Sequence, residues 1–137
     1  MIVVDNANGS PSATDITGGS FPSGYVSHIE VEDGNANHLL VTFSNYGVTS
    51  VWESTDAGAN WTAIEGDLPD MPVRWGIFHP LNSDMAILAT ELGVWTTDDI
   101  NGASTAWEAT NNGLSNVRVD MLQVRSSDNE VIASTHG

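Results

Sequence analysis

The chain has 137 residues, of which 18 are acidic, 3 are arginine and none is lysine, so its formal net charge is −15 at pH 7. Nucleic acids and anionic membranes are bound through basic side chains that meet phosphate, and this charge excludes both as partners. The absence of cysteine excludes a disulfide framework and a thiolate metal site, and every apolar run is too short to cross a membrane.

Short apolar runs alternate with polar turns along the whole chain, which predicts an all-β protein with no helix of any strength. In chain order the predicted strands cover residues 2–4, 14–16, 25–31, 39–43, 51–53, 61–64, 73–78, 85–90, 94–96, 107–110, 117–124 and 131–134. The stretches between them are rich in Gly, Asn, Asp and Ser, the residues that turns favour. Residues 32–37 and 79–84, for example, are each predicted to form a turn between two strands.

The turn over residues 54–61 has the most specific sequence, Ser-Thr-Asp-Ala-Gly-Ala-Asn-Trp. Asp56 can fold its side chain back onto the backbone two residues on, and Gly58 readily adopts a positive φ. Trp61 ends the turn, where its ring can cover the flank of the hairpin. We therefore expect the tip of a β-hairpin at this place.

Altered copies of this turn occur on both sides of it. One copy begins at Asp98 and ends at Trp107, and the other begins at Asp5 and ends at Ala13, with an Asn-Gly pair three residues after each Asp. The distance from Trp61 to Trp107 is 46 residues, and the distance from Ala13 to Trp61 is 48. Short strands that repeat with a period in the forties are typical of the blades of a β-propeller.

Blades of four antiparallel strands divide the chain into four parts. Residues 1–24 are expected to form the last two strands of a preceding blade and a linker, and residues 25–66 a complete blade with the turn described above. Residues 67–112 form a second complete blade with an altered turn, and residues 113–137 the first half of a further blade. A propeller closes a ring of roughly four to eight blades. The expected partners are therefore the remaining blades of a parent chain, or further copies of this one.

The pattern Ser54-x-Asp56-x-Gly58-x-x-Trp61 resembles the Asp-box, or BNR repeat, of sialidase-like and sortilin-like propellers. Leu68-Pro69, Gly93-Val94-Trp95 and residues 133–137 are similar to segments of large secreted bacterial propeller proteins, xyloglucanase-like glycosidases among them. The resemblance implies a structural role at the periphery for Ser54, Asp56, Gly58 and Trp61, and for Asp98 and Trp107 in the altered copy. The copy that begins at Asp5 departs from the pattern, because Ala13 replaces the Trp.

A ligand would lie on the opposite face of the propeller, near the central channel. The candidates there are Tyr46, Arg74, Trp75, Arg118 and His136, because aromatic rings stack on sugars and polar groups hold hydroxyls. Arg74 and Arg118 are 44 residues apart, at what we interpret as corresponding places in adjacent blades. Tyr25 stands where a third arginine would be needed, so the arginine cluster of a sialidase is not expected.

Catalysis of glycoside cleavage needs two carboxyl groups on either side of the scissile bond. The candidate acids are Asp67, Asp70, Glu91 and Asp120, and their spacing in the sequence does not fix the distances between them. Residues 33–37, Asp-Gly-Asn-Ala-Asn, carry oxygen ligands that calcium could use, but they favour a plain turn. We expect no metal and no cofactor.

These observations predict a non-catalytic structural or ligand-binding propeller module of a secreted or cell-surface protein, with a glycan or a peptide as ligand. A secretion signal would lie outside this chain, because residues 1–4 are too few for its apolar core. One alternative is part of a xyloglucanase-like glycoside hydrolase whose cleft needs further blades. The other is a sorting or assembly receptor that binds a peptide.

Overall fold

A computed structural model of the protein describes residues 1–113 and 116–136. Its strands are β1 (Ile2–Asp5), β2 (Ser12–Asp15), β3 (Val26–Glu32), β4 (Asn35–Phe43), β5 (Val51–Ser54), β6 (Thr62–Ala63), β7 (Val73–His79), β8 (Asn82–Thr90), β9 (Gly93–Thr97), β10 (Glu108–Ala109), β11 (Val119–Arg125) and β12 (Glu130–Thr135). The only helical element among the described residues is one 3-10 turn, Gly102–Ser104. The all-β prediction is confirmed, and every predicted strand has a counterpart.

The strands form four antiparallel sheets, with the strand orders β1-β2, β3-β4-β5-β6, β7-β8-β9-β10 and β11-β12. Each sheet joins strands that follow one another along the chain, so neighbouring strands need only short connections. The two middle sheets are therefore complete meanders of four strands, and each outer sheet consists of two.

The turns predicted over residues 32–37 and 79–84 are too long. Glu32 pairs directly with Asn35, and His79 pairs with Asn82, so each turn has only two residues outside the ladder. In the first of them Gly34 has a φ of +80°, a conformation that is favourable for glycine alone. The first residues of β4 and β8 are polar because these strand ends are mostly exposed, and this polarity resembles a turn.

The first strand of each of the last three sheets, β3, β7 and β11, contains a β-bulge. In each case the second residue of the strand has no partner on the neighbouring strand. The bulge residues are Ser27, Arg74 and Asp120. Arg74 therefore corresponds to Asp120, and Arg118 lies before its strand, as Pro72 does. The interpretation that Arg74 and Arg118 hold corresponding places is wrong, because the repeat at this point is 46 residues and not 44.

Apolar side chains pack between successive sheets. The largest cluster joins Leu40, Val51 and Ile64 of the second sheet to Val73 and Leu88 of the third, and all five are fully buried. Burying one such side chain is worth roughly 1.5 to 3 kcal/mol. A second cluster packs Met1 and Phe21 against Val41, Phe43 and Trp52 of the second sheet, and a third joins the last two sheets. The four sheets thus form one continuous stack.

The turn over residues 54–61 is closed by its own side chains. Ser54 Oγ donates to Asp56 Oδ1 at 2.9 Å and accepts from the backbone N–H of Gly58 at 2.9 Å. The carboxylate of Asp56 accepts from the backbone and from the side chain of Asn60 at 2.8 and 2.7 Å. These bonds hold the pKa of Asp56 below its ordinary value, the Asn60 side chain having the largest effect.

The turn that begins at Asp98 uses different groups. Thr105 Oγ1 accepts from the backbone N–H of Asn101 at 2.9 Å and donates to the carbonyl oxygen of Gly102 at 2.8 Å. Asp98 itself is exposed to solvent. Threonine hydroxyls therefore hold this turn in the place of the serine and aspartate pair.

Candidate functional site

One end of the sheets, which we call the loop face, carries the connections over residues 44–50, 65–72 and 91–92. In each of the last three sheets the residue after the second strand donates its N–H to the residue before the first strand. These bonds run from Ser44 to Tyr25, from Glu91 to Pro72 and from His136 to Arg118. The predicted candidates Tyr46, Asp70, Glu91 and His136 therefore lie at one end of the stack.

Each of the four candidate acids is bound to an internal partner. Asp70 Oδ1 accepts from the backbone N–H of Gly47 at 2.7 Å. Asp67 Oδ1 accepts from the backbone N–H of Trp107 at 2.7 Å, which places it where the second and third sheets meet at their outer edges. The other two acids are paired with arginines, Glu91 with Arg74 at 2.6 Å and Asp120 with Arg118 at 2.8 Å.

All three arginines of the chain are paired with carboxylates. In addition to the two pairs above, Arg125 binds both Asp128, at 2.7 Å, and Glu130. His136 joins the second pair, with Nδ1 3.3 Å from Arg118 Nη2 and 3.6 Å from Asp120 Oδ2. The positive charges of this surface are therefore neutralised locally, and an anionic ligand would meet a strongly negative protein.

Trp75 of β7 packs against the neighbouring sheet at β3. Its ring stacks on the imidazole of His28, with 3.7 Å between the centroids and 20° between the planes, and His28 Nε2 lies 3.2 Å from Glu30 Oε2. The side chain of Trp75 is half-buried in this pair of rings. His28 was not among the candidates, because nothing in the sequence pairs it with a tryptophan 47 residues later.

A shallow groove of about 330 Å³ lies on the loop face between the connections 44–50 and 65–72. Its lining residues are Gly47, Val48, Thr49, Glu65, Gly66, Leu68 and Asp70. Glu65 Oε1 accepts from the backbone N–H of Ser50 at 3.0 Å. Burial raises the pKa of the Glu65 carboxyl above its ordinary value, and the negative charge of Asp70 adds to this effect.

Glu65 was missing from the predicted acids, although the repeat offers a signal for it. Ile64 and Thr110 make the same backbone bond to the third strand of their sheets, so Glu65 corresponds to Asn111. Asn111 Oδ1 accepts from the backbone N–H of Val94 at 2.9 Å, as Glu65 does from Ser50. A polar residue at this repeat position holds the start of the third strand.

Two exposed tyrosines lie on the loop face, at the same end of the sheets as the groove. Tyr46 is 64% exposed and directly precedes Gly47, a lining residue, while Tyr25 is 78% exposed. The backbone N–H of Tyr25 donates to Asn45 Oδ1 at 2.7 Å, which joins the two tyrosines through one loop. Tyr25 was missing from the candidates, since sequence does not report exposure.

A buried histidine bridges two carboxylates near the other end of the second sheet. His38 Nδ1 lies 2.8 Å from Glu32 Oε2, and His38 Nε2 lies 2.8 Å from Glu53 Oε1, with the ring of Phe78 against the imidazole. Each ring nitrogen of His38 thus lies within hydrogen-bond distance of a different carboxylate. The Ser83 hydroxyl and then His38 hold the pKa of Glu32 below its ordinary value.

Of the stretch considered for calcium, residues 33 and 34 form the two-residue turn and the rest begins β4, where Asn35 Oδ1 accepts from the backbone N–H of Asn37 at 3.2 Å. Within residues 1–113 and 116–136, no three acidic or histidine side chains are grouped as metal ligands would be. The same residues contain no helix that is long and apolar enough to span a membrane.

Neither a protein-family model nor a curated protein sequence matches the chain. Among solved structures, the chain is similar to the GH74 enzyme of Niastella koreensis, with 21% sequence identity and a TM-score of 0.56. The match covers 87% of this chain and 20% of the enzyme, so the chain spans a fifth of that enzyme's length. At this identity the likeness shows the fold alone. It confirms the predicted β-propeller architecture, with two complete four-stranded blades flanked by two half-blades.

Proposed function

We propose that the chain is part of a secreted or cell-surface β-propeller and acts there as a structural or ligand-binding module without chemistry of its own. One observation carries this proposal. Each of the four acids that could serve as a general acid or base, Asp67, Asp70, Glu91 and Asp120, already holds a loop, a turn or an arginine. A carboxylate that keeps the backbone in place is less available to a substrate.

The charge of the surface limits the classes of ligand that the chain can bind. The chain has 18 acidic residues, and its three arginines, all within the described part, are paired, so none of them is left to bind a sialic acid, a phosphate or a sulfate. A neutral glycan suits this surface best, and a peptide is the other ligand compatible with it. The partners that complete the ring are the remaining blades of a parent chain or a further copy of this one.

The turn at residues 54–61 is, in this proposal, an Asp-box. Its support is the network in which Ser54 and Asp56 close the turn around Gly58, with Trp61 at its end. The turn from Asp98 to Trp107 is then a degenerate copy in which threonines replace the pair. The blade limits that follow are residues 1–24, 25–66, 67–112 and 113–137.

A second candidate function is that of a slice of a xyloglucanase-like glycoside hydrolase. The observation in its favour is the likeness of 87% of the chain to part of a GH74 enzyme. In this case the active cleft would be completed by blades outside the chain, and one of the four acids would serve as the acid or the base.

Reducing-end release from soluble neutral β-glucans separates the two functions when it is measured on the complete propeller that contains this chain, because the cleft of the hydrolase needs the further blades. The proposal expects no release above that of a heat-denatured sample. Release that Asp70→Asn or Glu91→Gln abolishes, and that Asp128→Asn leaves intact, would establish the hydrolase instead. Asp128 is a suitable control because it is exposed and pairs with Arg125, outside the loop face.

A further inference from the structure

The groove on the loop face has the features of a carbohydrate site. We propose that the surface formed by Tyr46, Glu65 and Asp70 binds a segment of a neutral polysaccharide, with Tyr25 as an outer contact. This inference rests on the proposed function, since it identifies the ligand class of a module that binds without cleaving.

The loop that carries Tyr46 is fixed on both sides of that residue. Asn45 Oδ1 accepts from the backbone of Tyr25 at 2.7 Å, and the N–H of Gly47 donates to Asp70 Oδ1 at 2.7 Å. Further along, the N–H of Ser50 donates to Glu65 at 3.0 Å. A ring on a loop that is already ordered loses little conformational entropy when it binds, so more of the contact energy remains as affinity.

The two tyrosines expose aromatic surface that the fold does not use. Tyr46 is 64% exposed, while the tryptophans Trp52 and Trp107 of the same two blades are buried in the stack. An aromatic ring combines a broad apolar face with a polar tip, and this suits the C–H face and the hydroxyls of a sugar ring. Val48 and Leu68 are the apolar side chains that line the groove.

The groove also supplies groups for sugar hydroxyls. A carboxylate has two oxygens and accepts about four hydrogen bonds, so Asp70 keeps acceptors for a ligand after binding Gly47. Glu65 likewise keeps acceptor positions after binding the N–H of Ser50. Thr49 lines the same groove and can both donate and accept.

Size and charge select the class of ligand. The groove of about 330 Å³ is open, so it suits a flat sugar ring that lies across it as part of a longer chain. Glu65 and Asp70 would repel a uronate or a sulfate ester, and the net charge of −15 adds to that repulsion. The polysaccharide is therefore neutral.

Affinity electrophoresis of the folded chain in native gels tests this site. The gels contain a neutral β-glucan, a neutral β-mannan or, as the charged control, polygalacturonate. We expect a neutral gel to retard the chain and polygalacturonate to leave its mobility unchanged. Tyr46→Ala should weaken binding by roughly tenfold, which corresponds to the upper range of an aromatic contact, and Tyr46→Phe should retain it.

Leu81→Ala is the matched control, because Leu81 is 73% exposed and lies in the turn between β7 and β8, away from the loop face. Circular dichroism of every variant confirms that it is folded. Equal retardation of Tyr46→Ala and the original chain would show that the surface around Tyr46 is not the binding site, although the chain would still be a ligand-binding module. Lack of retardation by both neutral gels would contradict both the proposed binding site and the neutral glycan as its ligand. Release of reducing ends would instead contradict the non-catalytic function.

Discussion

The indole nitrogen of Trp107 donates a hydrogen bond to the carbonyl oxygen of Ile64 at 3.0 Å, and this bond ties one blade to the blade before it. Trp61 makes the same bond to Ile16 at 2.9 Å. In both cases the isoleucine is the residue immediately after the last strand of its sheet. The tryptophan that ends each turn is therefore a link between blades as well as a cover for its own hairpin.

The two tryptophans differ in burial, which predicts different costs for their removal. Trp107 is 4% exposed, whereas Trp61 is half-buried and packs on Phe21. Trp107→Ala should reduce the free energy of unfolding by about 3 to 5 kcal/mol, and Trp61→Ala by less. Urea denaturation followed by circular dichroism measures both. A loss below about 1 kcal/mol for Trp107→Ala would show that the link between blades contributes little.

Gly66 lies where the second blade meets the turn of the third. Its φ is +51°, and a Cβ at this place would be 1.7 Å from the carbonyl oxygen of Thr105. Gly66→Ala should therefore destabilise the chain by well over about 1 kcal/mol. Gly34→Ala is the control, because Gly34 has a φ of +80° and open space around it. If thermal unfolding shows equal losses for the two variants, the contact with Thr105 is not tight.

His38 bridges two carboxylates that are mostly buried. Removing it by His38→Leu leaves Glu32 and Glu53 without their shared partner, and the loss of a hydrogen bond to a charged group costs about 1.5 to 3 kcal/mol. The triple variant with Glu32→Gln and Glu53→Gln should recover part of that loss, because no unpaired charge remains. Chemical denaturation at pH 7 measures both variants. Lack of recovery in the triple variant would assign the loss to packing against Phe78.

The raised pKa of Glu65 predicts a dependence of stability on pH. In the folded state the pKa lies above the reference of 4.5, so the ionised carboxylate is less favourable there than in the unfolded chain. This cost is present above the raised pKa and disappears as the pH falls below the reference value. Glu65→Gln keeps an oxygen acceptor for Ser50, so it should raise the melting temperature at pH 7 and have little effect near pH 3.5.

The exposed Glu108 provides the control for this titration. Glu108→Gln should shift the melting temperature by less than Glu65→Gln does at pH 7, because it removes no buried charge. A fall in melting temperature for Glu65→Gln at pH 7 would mean that the hydrogen bond from the Ser50 N–H to the charged Glu65 carboxylate stabilises the loop by more than the burial of that charge costs.

The strand pattern could be predicted from the sequence because two signals agree, the short apolar runs and the Gly and Asn turns that repeat every 46 to 48 residues. The β-bulges were not predictable. A bulge adds one residue whose identity differs from blade to blade, Ser27, Arg74 and Asp120, so no residue type marks it. The apparent match between Arg74 and Arg118 came from their charge alone.

The candidate site was predictable only in part. The sequence predicts Tyr46 on the face that would hold a ligand, and Tyr46 lies on the loop face beside Gly47, whose N–H donates to the candidate acid Asp70. Asp67 and Glu65 lie two residues apart, yet Asp67 binds Trp107 and Glu65 lines the groove. Which of two nearby carboxylates faces a groove depends on the backbone direction after the strand, and the composition of a loop does not determine that direction.

Glu65 and Asn111 perform the same structural task with different chemistry, since each accepts one bond from the start of the third strand in its own blade. In both blades an oxygen acceptor at this position binds a backbone N–H at the start of the third strand, that of Ser50 in one blade and that of Val94 in the other. Successive blades can therefore evolve separately here, exchanging a carboxylate for an amide without refolding. A repeat of this kind can change what its rim recognises one blade at a time, while the architecture beneath it stays the same.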